Sequence, residues 1–419
     1  MDRRFAGLWR HPDFLKLWAG QTVSAFGDQV SLLALPFAAV LALHAGAAQM
    51  GFLAAAGRAP VLLVGLFAGV WADRLRRRPL LIGADLGRAL LLGSIPAVAL
   101  LGRLTLPYLY AVAFLVGALA VVFSVAYQAY LPMLVARAEL AEGNSKLTAT
   151  RSIAQIAGPG LAGALVQLLT APVAILADAA SFLVSALSLS AIRKPEPRLR
   201  AVREAGSTWG EIGEGLRLVW RNPVLRAAAG SGGTYNCCNA MILALYVLYL
   251  ARGLALSPAL IGVILAALGP GSLLGALVAV RAARRFGQGP TLVGGIAVAG
   301  GANLLVPLAG GPLVVVAPVL VAAAFVNGFG QPLYNINQVS LRQAITPDRL
   351  QGRMNATMTV VVGGAAPLGA LLGGALGAAI GLRPALALGA CGTLLSCLWI
   401  ACSPVLTLRE QPEPAEAAA

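Results

Sequence analysis

The chain has 419 residues, of which 58% are hydrophobic and only 11% charged, with 49 glycines and a formal net charge of +15. A soluble chain carries about 25% charged residues. Here the apolar residues come in blocks of twenty or more, the length a helix needs to cross ~30 Å of hydrocarbon, which excludes a soluble domain and, for want of ~10-residue alternating segments, a membrane barrel.

The blocks predict an all-α membrane protein of twelve spans at 14–43, 49–72, 80–101, 105–131, 147–168, 172–192, 223–251, 257–280, 289–309, 312–340, 354–379 and 383–403. The opening "MDRRFAGLWRHPDFLKLW" is basic like a leader, but the apolar run behind it is long and contains Asp28, so it reads as a first span. Of the 31 Lys and Arg, 25 gather at one set of loop ends, three at the other, and three (Arg58, Arg88 and Arg151) fall inside spans. That asymmetry predicts both termini on the cytoplasmic side of the cell's inner (plasma) membrane. The basic excess therefore meets anionic lipid, and no nucleic-acid partner is expected.

An ionisable group at a span centre costs about 2.5–3.5 kcal/mol on insertion scales, so each asks for a partner or a task. Asp28 lies fourteen residues into span 1 and Arg58 fourteen before the end of span 2. Both then stand ~21 Å from the cytoplasmic edge, where they are expected to face each other or share a water-filled cavity. A carboxylate at that depth can change its charge with the hydration of its surroundings, which makes Asp28 the first candidate for proton coupling. Phe26 is a candidate for the wall of the same cavity.

Between spans 2 and 3 the chain reads "GVWADRLRRRPLL" (69–81). Gly69 permits close helix approach, Asp73 suits the positive N-terminus of a neighbouring helix, and Arg74, Arg77 and Arg78 hold the loop at the anionic surface. In span 3, Asp85 and Arg88 are one turn apart and able to pair locally near this loop. Arg151, early in span 5, is expected to join Asp85 or Asp73. Span 5 then carries "AQIAGPGLAG", in which Gly158, Pro159 and Gly163 favour close packing.

The polar stretch 193–222 splits the chain into an N-terminal bundle (1–192) and a C-terminal bundle (223–403) with a tail (404–419); its 208–221 segment reads as an amphipathic surface helix. "QAYLPMLVARAEL" at 128–140 parallels "QVSLRQAITPDRL" at 338–350, and "GPGLAGAL" parallels "APLGALLGG" with Pro159 opposite Pro367, offsets of 210 and 208. Both copies run in the same direction, which predicts two parallel-repeat six-helix bundles. The second half carries no clear charge at span centres. It offers Tyr235, Asn236, Asn239 and Tyr246 in span 7 and Asn327, Gln331, Tyr334, Asn335 and Asn337 in span 10, which can line a substrate cavity or bond one helix to another.

The hinge loop resembles the signature of the major facilitator superfamily, G-x-L-A-D-R-x-G-R-[KR]-x-x-[LI], at Gly69, Ala72, Asp73, Arg74, Arg77, Arg78 and Leu81; Trp71 and Arg76 depart from it. "HPDFLKLWAGQTVSAFGDQVSLLALP", "AELAEGNSKLTATRSIAQIAGPGLAGAL" and "ADAASFLVSALSL" are similar to the branch containing macrolide-efflux proteins and the enterobactin exporter. The resemblance implies a monomer whose hinge loop latches one state of an alternating-access cycle. It also implies export of an amphiphilic small molecule, a drug or a secreted metabolite or siderophore, in exchange for protons. Span 6 is peripheral in that fold, so Asp178 is expected to stand outside the site. Span 4 lacks the Arg that many proton-coupled drug exporters of the superfamily carry there, so coupling must use other residues.

The competing readings are an importer or facilitator of a small polar solute, which would need polar groups at mid-depth in both halves, and a scaffold without transport. Catalytic signatures are lacking: there is no HExxH or GxSxG, the only histidines are His11 and His44, and none of the three lysines follows a GxxxxG loop. The five cysteines lie in apolar blocks without a CxxC pair, so neither a metal site nor a cofactor is expected.

Overall fold

The computed structural model describes residues 8–65, 75–194, 196, 208–347 and 350–408. Gly69, Asp73 and Arg74, most of the linker before 208, and the tail beyond 408 lie outside the described residues. Regular structure among the described residues is wholly helical.

In chain order the helices are α1 (Pro12–Phe37), α2 (Ala47–Arg58), α3 (Pro60–Leu63), α4 (Arg77–Leu100), α5 (Leu106–Leu134), α6 (Leu140–Leu169) and α7 (Ala171–Ser190). Then follow α8 (Thr208–Arg221), α9 (Pro223–Leu248), α10 (Pro258–Ala266), α11 (Leu268–Phe286), α12 (Gln288–Leu308), α13 (Leu313–Ile345), α14 (Gln351–Met358), α15 (Gly364–Ile380), α16 (Leu382–Leu395) and α17 (Leu398–Ala401). Among the described residues eleven helical runs are long and apolar enough to cross a membrane, and the shorter Ala47–Leu63 occupies the place of the expected second span. Large apolar side chains point outward from them, Leu90 at 74% and Leu168 at 80% exposure, which suits hydrocarbon as the surrounding solvent.

Local chemistry sets the ends. His11 caps α1 by accepting the Phe14 amide on Nδ1 at 3.1 Å, and Asn222 caps α9 by accepting from Val224 and Leu225. The amphipathic 208–221 segment forms α8, whose Val219 is buried against Leu225, Met354 and Met358. Glu196 closes the start of α4, accepting the Arg77 amide at 2.6 Å and the Arg78 amide at 3.4 Å.

The chain divides into two compact units. One comprises Met1–Ala45, Ala56–Arg203 and Leu256–Ala266; the other comprises Gly46–Ala55, Glu204–Ala255 and Ala267–Ala419. Each unit thus contains a short segment from the other half of the sequence, and glycine explains both. In the first unit a Cβ at Gly262 would lie 2.5 Å from the Pro159 carbonyl and 3.0 Å from Gly163 Cα, so α10 and α6 cross backbone on backbone. In the second, a Cβ at Gly51 would lie 2.6 Å from the Ala370 carbonyl and 2.7 Å from Gly374 Cα.

These crossings correct the register of the internal repeat. Gly51 and Gly262 are 211 residues apart, as are Gly163 and Gly374. The same offset relates the widened helical turns Ala38–Ala42 and Tyr249–Gly253. It also relates two pairs of left-handed residues, His44 (φ 51°) to Ala255 (φ 51°) and Thr170 (φ 78°) to Gly381 (φ 92°). Pro159 therefore corresponds to Ala370, and the Pro159–Pro367 pairing expected from the sequence is three residues out of step.

Candidate functional site

One face of α1 presents Gln21, Ser24, Ala25, Asp28 and Gln29, spaced at i, i+3, i+4, i+7 and i+8 so that they form one stripe. With Arg88 from α4, Ala120, Phe123, Ser124 and Tyr127 from α5, and Arg151, Ala154 and Gln155 from α6, they enclose a cavity of about 270 Å³ within the first unit. Asp28 is solvent-exposed on this cavity.

Arg88 is the best-held charge. It is 4% exposed and forms an ion pair with the fully buried Asp85 one turn earlier. Its guanidinium carbon stands 4.6 Å from the Phe123 ring centroid and 4.0 Å from that of Phe182, so two aromatic faces hold it by cation–π attraction. Phe123 stacks in turn on Tyr127 at 5.8 Å, and Arg151 lies 5.5 Å from the Tyr127 centroid. Arg88 and Arg151 share the cavity lining with Asp28. A carboxylate open to water thus shares a cavity with two guanidinium groups, in a setting whose other lining groups are amides, hydroxyls, rings and alanine methyls. Such a cavity can exchange a proton or hold a small cationic or polar group.

A family model described as transmembrane secretion effector matches residues 4–417. The chain belongs to the major facilitator superfamily. Within it, the chain is similar to the multidrug efflux pump Tap of Mycolicibacterium fortuitum, 30% identical over 387 residues that cover 89% of this chain and 91% of that one. The Mycobacterium tuberculosis (strain ATCC 25618 / H37Rv) pump of the same name is 30% identical over 400 residues, with 89% of each chain covered. The nucleoside transporter NupG shares the fold at a TM-score of 0.76 and 13% identity, covering 93% of this chain and 98% of its own. A bacterial homologue of the iron transporter ferroportin, in its inward-facing state, gives 0.73 at 18% identity, with 93% and 98% covered. The chain is a multi-pass membrane transporter of the superfamily's efflux branch, as its sequence led us to expect.

The structure redistributes the expected residues of this major facilitator. Arg58 is half-buried and absent from the cavity, and it makes no ion pair or hydrogen bond to Asp28. Its helix packs on α5, where a Cβ at Gly117 would lie 2.6 Å from the Gly57 carbonyl. Equal depth along two helices says nothing of azimuth, and Arg88 takes the place anticipated for Arg58. Arg151 lines the cavity with Asp28, not a surface network with Asp85, because α6 begins at Leu140, seven residues before the expected span. Asp178, expected outside, is 1% exposed, with its carboxylate against the α1 backbone at Gly27.

Of the gating-loop residues that are described, Arg77 and Arg78 are bound to α5 and α7. Arg77 reaches the Ala129 carbonyl at 3.4 Å and the Met133 sulfur, while Arg78 Nε donates to Leu189 O at 2.9 Å and its guanidinium also meets Ser190 O, complementing the C-terminal end of α7. Gly158 packs on Gln29, and Pro367 is buried in α15.

In the second unit the polar residues of α13 mainly join helices. Asn327 Nδ2 donates to Ala299 O and to Asn303 Oδ1, each at 3.0 Å, and its own Oδ1 accepts from Gln331 at 2.9 Å. Asn337 donates to Leu333 O at 2.8 Å. Tyr334 lies 3.2 Å from Ser231 Oγ and tilts against Tyr235 at 5.8 Å, and both tyrosines and Tyr246 are buried. Asn236 and Asn239 are half-buried, Phe26 likewise, and Asn335 is exposed. At the repeat offset Asn239 is the counterpart of Asp28, which leaves the carboxylate without an ionic equivalent in the second half. Of the cavity wall that sequence reasoning missed, Gln21, Ser24 and Gln29 were legible as a helical stripe around Asp28, whereas Ser124 and Gln155 come from α5 and α6 and had no such signal.

Proposed function

We propose that the chain exports amphiphilic small molecules, drugs or a secreted metabolite, from the cytoplasm in exchange for protons by alternating access. Both termini then face the cytoplasm, the orientation that the distribution of basic residues favours. The supporting observation is Asp28, a carboxylate exposed on a cavity that also contains Arg88 and Arg151. Proton and substrate can act on one such group in turn. The likeness to multidrug efflux pumps over 89% of the chain supports the substrate class.

Inverted membrane vesicles from cells expressing the chain, energised by respiration and loaded with a fluorescent amphiphile such as ethidium, test this reading. The wild type is expected to accumulate the dye and lose accumulation on addition of a protonophore. Asp28→Asn is expected to reach the membrane in normal amount with no proton-dependent uptake. Undiminished uptake by Asp28→Asn against a gradient would remove Asp28 from the mechanism.

A further inference from the structure

A groove of about 510 Å³ runs along the second unit between the start of α9 and the end of α16 and α17. Arg226 lies at one end of it, three residues after Pro223 opens α9. Thr234 lies eight residues further on, ~12 Å along the same helix. Leu395, Leu398, Trp399 and Cys402 form the opposite wall, and all four are exposed. Trp399 is fixed in place. Its Nε1 donates to Thr234 Oγ1 at 3.2 Å, and a Cβ built on Gly230 would come 2.5 Å from its Cδ2, so the ring rests on the α9 backbone.

The repeat shows what this crossing needs for packing alone. At the 211-residue offset Arg226 corresponds to Leu15, Thr234 to Val23 and Trp399 to Ser188. In the first unit a Cβ at Gly20 would lie 2.9 Å from Ser188 Cβ, so small residues close the crossing. The second unit instead carries a cation, a hydroxyl and an indole along one strip. An apolar residue or a serine suffices at each of these places, and a guanidinium at the edge of the hydrocarbon calls for a partner.

Positive charge gathers at the same end. Arg226 Nη1 donates to Trp220 O at 3.5 Å, which brings the last turn of α8 beside the groove. There Arg217 and Arg221 are one turn apart and exposed, as are Leu216 and Trp220, the pattern of a helix lying in the headgroup layer. The acids of α8, Glu211 and Glu214, fall in its first half, and no lining residue of the groove is acidic. Among the described residues Arg226 makes no ion pair. An anionic headgroup at this end meets guanidinium groups, whereas the ammonium of a zwitterionic one finds no carboxylate in the groove. Deeper in, the indole and the two leucines offer an apolar bed.

We propose that this groove binds an anionic phospholipid, its phosphodiester on Arg226 and one acyl chain along Trp399, Leu398 and Leu395. Guanidinium matches phosphate with two parallel hydrogen bonds, and an indole suits the boundary between headgroup and chain. With the termini cytoplasmic, the lipid comes from the inner leaflet. The site requires that the chain be embedded in a membrane and draws on no part of the export mechanism.

The test uses the purified full-length protein, stripped of lipid in a neutral detergent and offered equal amounts of phosphatidylglycerol and phosphatidylcholine, with bound lipid counted by native mass spectrometry. The wild type is expected to retain one phosphatidylglycerol in about fivefold preference to phosphatidylcholine. Arg226→Gln should retain the two lipids equally. Arg284→Gln, which removes an exposed charge from α11, should leave the preference intact. The wild type also gives a reading that needs no variant. Phosphatidylglycerol, but not phosphatidylcholine, should slow alkylation of Cys402 by a maleimide several-fold, while Cys391, exposed but outside the groove, reacts at an unchanged rate. Equal retention of both lipids by the wild type, a preference that survives Arg226→Gln, or Cys402 alkylated at one rate with either lipid overturns the proposal. An equal loss in Arg284→Gln would make the preference a diffuse attraction and overturns it too. So does a lipid-independent dimer that shields Cys402, which would give the groove to a second copy of the chain.

Discussion

The guanidinium of Arg88 is clasped against the ring of Phe182, its central carbon 4.0 Å from the centroid, while its Nη2 is paired to Asp85. A lysine has the charge but neither the planar face nor the fork that satisfies ring and carboxylate together. Arg88→Lys is expected to lower the thermal midpoint of the purified protein by an amount equivalent to about 1–2 kcal/mol. Asp85→Asn should cost more, about 3 kcal/mol, since it strands a buried cation. Fluorescence-detected thermal unfolding in detergent reads both, and equal midpoints for wild type and Asp85→Asn would show the pair to be slack.

The glycine crossings make a steric prediction. Gly262→Val must displace either the Pro159 carbonyl or the Gly163 backbone, so a loss of about 1–3 kcal/mol is expected, with sharply reduced yield of monodisperse protein. Gly83→Val, at a position where an added Cβ meets nothing within 4 Å, is the matched control and should behave as wild type on size-exclusion chromatography.

Asn327 separates structural from substrate-facing polarity. Its amide joins α12 to α13 through Ala299 and Asn303 and is 7% exposed. Asn327→Ala is expected to reduce stability by about 1–3 kcal/mol by leaving buried partners unsatisfied. The relative resistance conferred against a panel of drugs should scale down together, without a change in rank order.

Glu196 caps α4 through two backbone amides from the far side of the sequence. Glu196→Ala should cost about 0.5–2 kcal/mol and loosen the backbone beside the already exposed Arg193 and Lys194. Limited trypsinolysis should then cut the linker several-fold faster than in the wild type. Glu196→Gln should recover most of the protection, because an amide oxygen can still accept.

The architecture was readable because hydrocarbon imposes its length on every span and basic residues mark the loop ends. Azimuth was not readable. Asp28 and Arg58 match in depth, yet Arg88 stands on the cavity because α4, not α2, turns a charged face there. The family resemblance puts the helix of Asp178 at the periphery, whereas Gly27 opposite it, a small residue where two helices touch, is the signal that Asp178 reaches α1. The repeat was legible in outline but misregistered by one to three residues, since its markers are backbone conformations. His44 with Ala255, and Thr170 with Gly381, share a left-handed turn and no chemistry. The polar residues of α13 were recognisable as a group, but sequence could not tell a wall of amides from a seam of them.

The 211-residue correspondence duplicates shape without duplicating charge. Under the export mechanism proposed above, the uncharged copy, at Asn239 for instance, can be redrawn while the ionised cluster is left as it is. Retuning selectivity and retuning energy coupling would then be separable tasks, assigned to different stretches of one polypeptide.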